Sequence, residues 1–336
     1  MQDPKSATEI PGFVRDSIDL AQPCLGSRVI AVSDEFFAPA ERMLQPAPPR
    51  FIDGKYDDHG KWMDGWETRR RRDGGEDWAI LQLGRAGRIR GFEVDTRHFT
   101  GNYPPAISIQ ACHSRQEPDR QTAWSELLPI HALGPDQQHY FSVESTQAWT
   151  HLRIRLHPDG GIARLRVYGE LAIDWSQVDE NETIDLAALE NGGRAIAWND
   201  AHFGHPSNLI KPGKGVNMGD GWETRRRREP GHDWCLLALG HAGVIEEIEV
   251  DTAFFKGNYP AACSIQAACI EQPLREALIT QSMFWPELLP RQALAADRVA
   301  RFGDLRELGP VTHLRLNIHP DGGISRLRVH GRLAKC

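Results

Sequence analysis

Two identical segments concentrate the ionisable chemistry of this sequence. Asp64-Gly65-Trp66-Glu67-Thr68-Arg69-Arg70-Arg71-Arg72 recurs unchanged as Asp220-Gly221-Trp222-Glu223-Thr224-Arg225-Arg226-Arg227-Arg228, 156 residues further on (220 − 64). Each copy sets two carboxylates beside four arginines. A carboxyl group suits general acid or base work, and the planar fork of arginine suits a carboxylate ligand. Val94-Asp95-Thr96 and Gly101-Asn102-Tyr103-Pro104 return at the same offset as Val250-Asp251-Thr252 and Gly257-Asn258-Tyr259-Pro260. An acid and an amide at a strand–loop junction are typical pocket-lining groups. A third segment, His157-Pro158-Asp159-Gly160-Gly161-Ile162, returns as His319-Pro320-Asp321-Gly322-Gly323-Ile324.

Each segment also has a plainer structural reading. The arginine run fits a charged strand stitched by ion pairs, since Asp64, Asp73, Glu76 and Asp77 crowd around it. A strand would send alternate arginines to opposite faces, which argues against a pooled nucleic-acid patch. Gly101 and Pro104 suit a turn, and Asp159-Gly160 is a hairpin signal joining two alternating strands. His157, beside Arg153 and Arg155, reads as solvated or ion-paired. His202-x-x-His205 resembles half a metal site, but Phe36-Phe37-Ala38-Pro39 stands in the equivalent stretch of the first copy.

The elements that must position these groups are strands. In His151 to His157, Leu152, Ile154 and Leu156 alternate with Arg153, Arg155 and His157; Leu314, Leu316 and Ile318 alternate likewise with Arg315, Asn317 and His319. This period of two is that of half-buried antiparallel strands. The first copy predicts about eight, near 28–33, 66–72, 78–83, 88–95, 106–112, 139–144, 151–157 and 163–169. Helical patterns are few, as at Pro39 to Leu44. Short strands with Gly- and Pro-rich turns suggest an all-β fold of two tandem jelly-roll sandwiches, with an open barrel as the alternative. The expected domains are 16–172 and 194–334. Residues 173–193 form an acidic linker that contains a short helix within Thr183 to Glu190. The third motif recurs after 162 residues, so the second copy carries an insertion, placed between Ala267 and Trp285.

Composition bounds the function. The chain has 336 residues, 40% of them hydrophobic and 25% charged, which is globular and long enough for two cores. No apolar run is long enough for a spanning helix, and Met1 to Ile10 lacks the apolar stretch of a secretory signal. The net charge of −7 argues against nucleic acid as a partner. Six cysteines without a Cys-x-x-Cys pair read as reduced thiols of a cytoplasmic protein. Homo-oligomerisation stays open.

Taken together, the three duplicated motifs resemble the two repeats of the allantoicase family, from about Gly26 to Gly331. The resemblance implies galactose-binding-like jelly rolls and hydrolysis of allantoate, a small molecule, to ureidoglycolate and urea. Allantoate is an aminal whose central carbon bears two ureido groups and a carboxylate. Expelling urea needs a proton on a poor nitrogen leaving group and water at the electron-poor carbon. The residues that fit are Asp64, Glu67 and Asp95, with Asp220, Glu223 and Asp251, as acids and bases in either assignment. Arg69, Asn102 and His157, with Arg225, Asn258 and His319, would bind the substrate. The alternative is a non-enzymatic ligand- or carbohydrate-binding protein of the same fold. No cofactor or metal is expected, because the copies share no His/Cys cluster of ligand spacing. Chelation should therefore leave urea release intact. Activity lost on chelation and restored by a divalent ion would overturn that expectation.

Overall fold

A computed structural model of the chain describes residues 10–271 and 274–336; most of Met1 to Ile10 lies outside the described residues. The chain divides into two compact units between Ala172 and Ile173. Each is a β-sandwich of jelly-roll type with little helix. No helix among the described residues is long and apolar enough to cross a membrane.

One strand organises the first unit. Asp77–Asp95 runs unbroken where two strands, 78–83 and 88–95, are read from the sequence. Its first half, from Asp77 to Gln82, pairs with Trp149–His157 and Arg28–Val32; its second half pairs with Arg164–Leu171 and Gln138–Ser142. The strand thus passes from one pairing set to the other through Leu83-Gly84-Arg85-Ala86-Gly87. A Cβ on Gly84 would lie 1.9 Å from the Leu25 carbonyl oxygen, so the crossing point admits only glycine. The sequence shows a break there because the pairing partners change, although the backbone continues.

Trp149–His157 behaves as its alternation predicts: Leu152, Ile154 and Leu156 are fully buried and the three polar residues half-buried. Trp66, Phe92, Leu81, Ile107 and Ile109 are likewise fully buried, and Phe99 forms a separate small cluster with Met63 and Ala163. Other expectations are corrected. Asp159-Gly160 closes no hairpin, because the strands on either side of it pair with opposite halves of Asp77–Asp95. The strand expected over 66–72 is only Trp66–Glu67, and Ser125–Ala132 is a strand the sequence reading missed. Pro39 to Leu44 contains a 3-10 turn, Ala40–Leu44.

The second unit repeats this plan around Asp233–Asp251. The stretch 173–193 is more than a linker. Ile184–Asp185 pairs with Arg326–Leu333, and the expected helix is replaced by that strand and a 3-10 turn, Leu189–Asn191. The insertion forms a helix, Arg275–Gln281, and a 3-10 turn, Ser282–Phe284. Leu278 and Trp285 pack there with Ile196 and Leu236. Arg315 and Asn317, expected on an open polar face, are 5% and 4% exposed, and Arg315 donates to Ser282 Oγ at 2.7 Å. Cys269 and Cys336 form a disulfide, which corrects the reduced-thiol reading for these two; Cys112, Cys235 and Cys263 are buried free thiols.

Candidate active site

The three duplicated motifs meet at one cleft of about 1280 Å³ in the first unit. Gly160 lets them meet. Its φ is +137°, and a Cβ there would come within 2.6 Å of the Pro104 nitrogen. Only glycine allows that turn to pack against the Asn102 loop. Thr68 N then donates to Gly160 O (3.1 Å), Gly161 N donates to Asn102 O (2.7 Å), and Gly161 pairs with Glu67. Trp66, fully buried, donates its indole N–H to the Asp34 carbonyl (2.9 Å) and fixes a fourth segment.

Glu67 lines this cleft and is 9% exposed. Its Oε1 accepts from Asn102 Nδ2 at 2.7 Å, the single side-chain hydrogen bond of the carboxyl among the described residues. Burial raises its pKa above the ordinary 4.5, and the Asn102 bond offsets part of that rise. A carboxyl whose neutral form is favoured by burial inside a cleft is suited to deliver a proton.

The arginines sort into two kinds. After Thr68 the chain leaves the sheet, and alternate backbone N–H groups find acids: Arg69 N donates to Asp34 Oδ2 (2.7 Å) and Arg71 N to Asp159 Oδ2 (2.7 Å). The same two side chains are neutralised. Arg69 pairs with Asp34 at 2.6 Å, and Arg71 with Asp73 at 2.9 Å and Asp77 at 2.7 Å. Burial disfavours the Asp34 carboxylate, but the Arg69 bonds outweigh it and hold the pKa below the ordinary value. Hydrogen bonding from Arg71 takes Asp73 down to about 2. Arg70 and Arg72 also line the cleft, are exposed, and form no ion pair among the described residues. They are its uncommitted cations.

Of the other residues singled out by the sequence, Asn102 lies in the cleft, but Asp64, Asp95 and His157 do not line it. Asp64 accepts from the buried Arg164 at 2.8 Å and from Arg50 N at 2.8 Å. Asp95, with no exposed surface, is bound by the Arg97 guanidinium at 2.5 Å and accepts from Arg97 N at 2.8 Å. His157 lies next to the cleft in a smaller depression. Its Nδ1 is 3.1 Å from Glu76 and its Nε2 is 2.9 Å from Ser108 Oγ. Burial lowers its pKa, against the pull of Glu76. Asp34, Asp77 and Asp159 line the cleft but were not read as site residues. Each has a counterpart in the other copy (Asp200, Asp233, Asp321), which was the available signal.

The second unit keeps the central contacts. Asn258 donates to Glu223 at 2.6 Å, Arg225 pairs with Asp200 at 3.1 Å, and Arg227 N donates to Asp321 at 2.8 Å. Asp220 accepts from Arg326 at 2.6 Å, and Asp251 caps Ala253 N at 2.7 Å. Around His319 the copies part: His232 stands in place of Glu76, its ring 4.7 Å from that of His319. Burial, with the nearby His232 and Arg291 charges, takes His319 down to about 4. His202 and His205 turn to other partners. His202 packs on Phe203, while His205 packs on Trp198 and accepts from Ser207 N at 3.1 Å.

The allantoicase repeat matches this chain twice, over residues 18–172 and 184–334. The chain belongs to the allantoicase family. Probable allantoicase 1 of Burkholderia mallei is 55% identical over 99% of both chains. A probable allantoicase of Rhizobium meliloti is 56% identical, over 97% of this chain and 96% of its own. The crystal structure of allantoicase from Saccharomyces cerevisiae superposes with a TM-score of 0.79 at 36% identity, covering 94% of this chain and 93% of that one. In the frame of the allantoicase repeat, the duplicated motifs are the segments that build the cleft wall.

Proposed function

We propose that this protein hydrolyses allantoate to (S)-ureidoglycolate and urea, and that the Glu67 cleft carries the reaction. The supporting observation is the Glu67–Asn102 pair: a buried carboxyl with a raised pKa, set among arginines in a family named for this activity. Arg70 and Arg72, free of internal acids, meet the substrate carboxylate, and the paired arginines shape the wall around it. Asn102 offers its amide to a ureido arm.

One carboxyl suffices for the proton traffic. Protonated Glu67 gives its proton to the ureido nitrogen as the bond from that nitrogen to the central carbon breaks. Urea leaves, and the electron pair of the remaining ureido nitrogen closes a C=N bond. The Glu67 carboxylate then takes a proton from the water that adds to this carbon, which restores the acid and yields ureidoglycolate. Asp64 and Asp95, and their copies Asp220 and Asp251, support the reaction through the arginine and turn contacts they hold. The protein would thereby serve purine breakdown in the cytoplasm.

Purified protein should release urea from allantoate and none from allantoin, whose closed ring lacks the free carboxylate that the arginines need. Equal turnover of both, or of neither, would contradict this reading.

A further inference from the structure

The two repeats differ most in one connection. From Leu44 to Asp64 the first repeat carries a long excursion with a small hairpin, Tyr56–Asp57 against Gly60–Lys61; from Ile210 to Asp220 the second has a short turn-rich link. Nearly all of residues 51–61 are exposed, yet the hairpin is anchored. Lys55 lies 3.8 Å from the Trp62 ring and Arg42 5.1 Å from it, and Trp62 N donates to Lys55 O at 3.1 Å. Phe51 packs on His98, which explains why the residues after Val-Asp-Thr differ between the copies: the second has Phe254 there and no hairpin to meet.

The hairpin reaches the cleft at one point. His59 stacks on Phe36 with centroids 4.5 Å apart and planes 15° from parallel, and its Nδ1 bonds to the Phe36 carbonyl. Phe36 in turn lies 5.3 Å from the Arg69 guanidinium and packs edge-on against Phe37, 5.2 Å away. Arg69 and Phe37 both line the cleft. A Cβ at Gly60 would just touch the Phe37 ring, at 4.0 Å, so hairpin and wall are in contact. In the second repeat His202 stands in place of Phe36, and its ring contact among the described residues is edge-on with Phe203.

We propose that the 51–62 hairpin is a substrate-positioning element of the first-repeat cleft, acting through the His59–Phe36–Arg69 stack, and that it makes the first repeat the one that binds allantoate tightly. This rests on the allantoate reading above. The charged Arg69 is held against both Asp34 and an aromatic face, so its end of the wall keeps one geometry for an anionic ligand. His59 and Phe36 are positioning residues; neither needs to touch the substrate.

The test measures allantoate affinity by calorimetry and urea release in parallel, on the full chain. Phe36→Ala and His59→Ala should each weaken allantoate binding roughly tenfold, the scale of losing an aromatic stack and a cation–π contact. KM should rise with it while kcat stays within about twofold. Phe36→Tyr, which keeps the ring, should restore binding, and His202→Ala in the second repeat should change nothing. Unchanged affinity in both alanine variants, or a loss that Phe36→Tyr fails to restore, overturns the proposal. Wild-type protein that binds allantoate with this dependence but releases no urea leaves the positioning role standing and removes the hydrolase reading. Absence of binding removes both.

Discussion

Glu67→Gln lowers urea release from allantoate by roughly 10²–10⁴, the loss that follows removal of a general acid or base. The amide fits the same volume and can still bond to Asn102, so the fold is retained and the loss lies in kcat. Glu223→Gln has the smaller effect, because Glu223 is half-buried and its repeat lacks the 51–62 hairpin. The pH profile separates the acid from a merely structural carboxyl. Since burial raises the Glu67 pKa, its protonated form persists above the ordinary glutamate range, and activity that needs this form falls as pH rises through the raised value. Stability runs the same way. The folded pKa exceeds the unfolded one, so the contribution of Glu67 is fully present below the unfolded value and lost as pH rises through the folded one. Equal losses from Glu67→Gln and Glu223→Gln would spread the reaction over both repeats.

Arg164→Met destabilises the protein by about 3–5 kcal/mol, the cost of removing the buried member of a largely enclosed ion pair. Arg164 is 2% exposed, and its guanidinium donates to Asp64 Oδ2 (2.8 Å), Asp64 O (2.8 Å), Ala47 O (2.8 Å) and Ala163 O (2.7 Å). One side chain thus holds the long first-repeat connection to the sandwich. Arg326→Met removes the same kind of contact to Asp220 in the second unit and should cost a similar amount. Denaturant midpoints at constant m-value measure both. Asp64→Asn gives the complementary result: lower stability with urea release per folded molecule nearly unchanged. A hundredfold activity loss in a stably folded Asp64→Asn protein would return Asp64 to the catalytic machinery.

Much of this molecule was legible in the chain. Duplication of three motifs at a nearly constant offset specifies two like units, and alternation in segments such as Leu152, Ile154 and Leu156 specifies half-buried strands, because both signals are local in sequence. The family followed from the same motifs. Which acids share the cleft was not legible. Asp64, Glu67 and Asp95 look alike in sequence, being repeated acids next to strands. Their partners in the fold separate them: Arg164 claims Asp64, Arg97 claims Asp95, and among the described residues Asn102 alone hydrogen-bonds the Glu67 carboxyl. Alternation of the arginines was expected from a strand over 66–72, but which of them are neutralised was hidden, because Asp34, which pairs with Arg69, and Asp159, which accepts from Arg71 N, are distant in sequence. A polar residue acquires its chemistry from desolvation and neighbouring charge, and both are set by segments that meet only when the chain has folded.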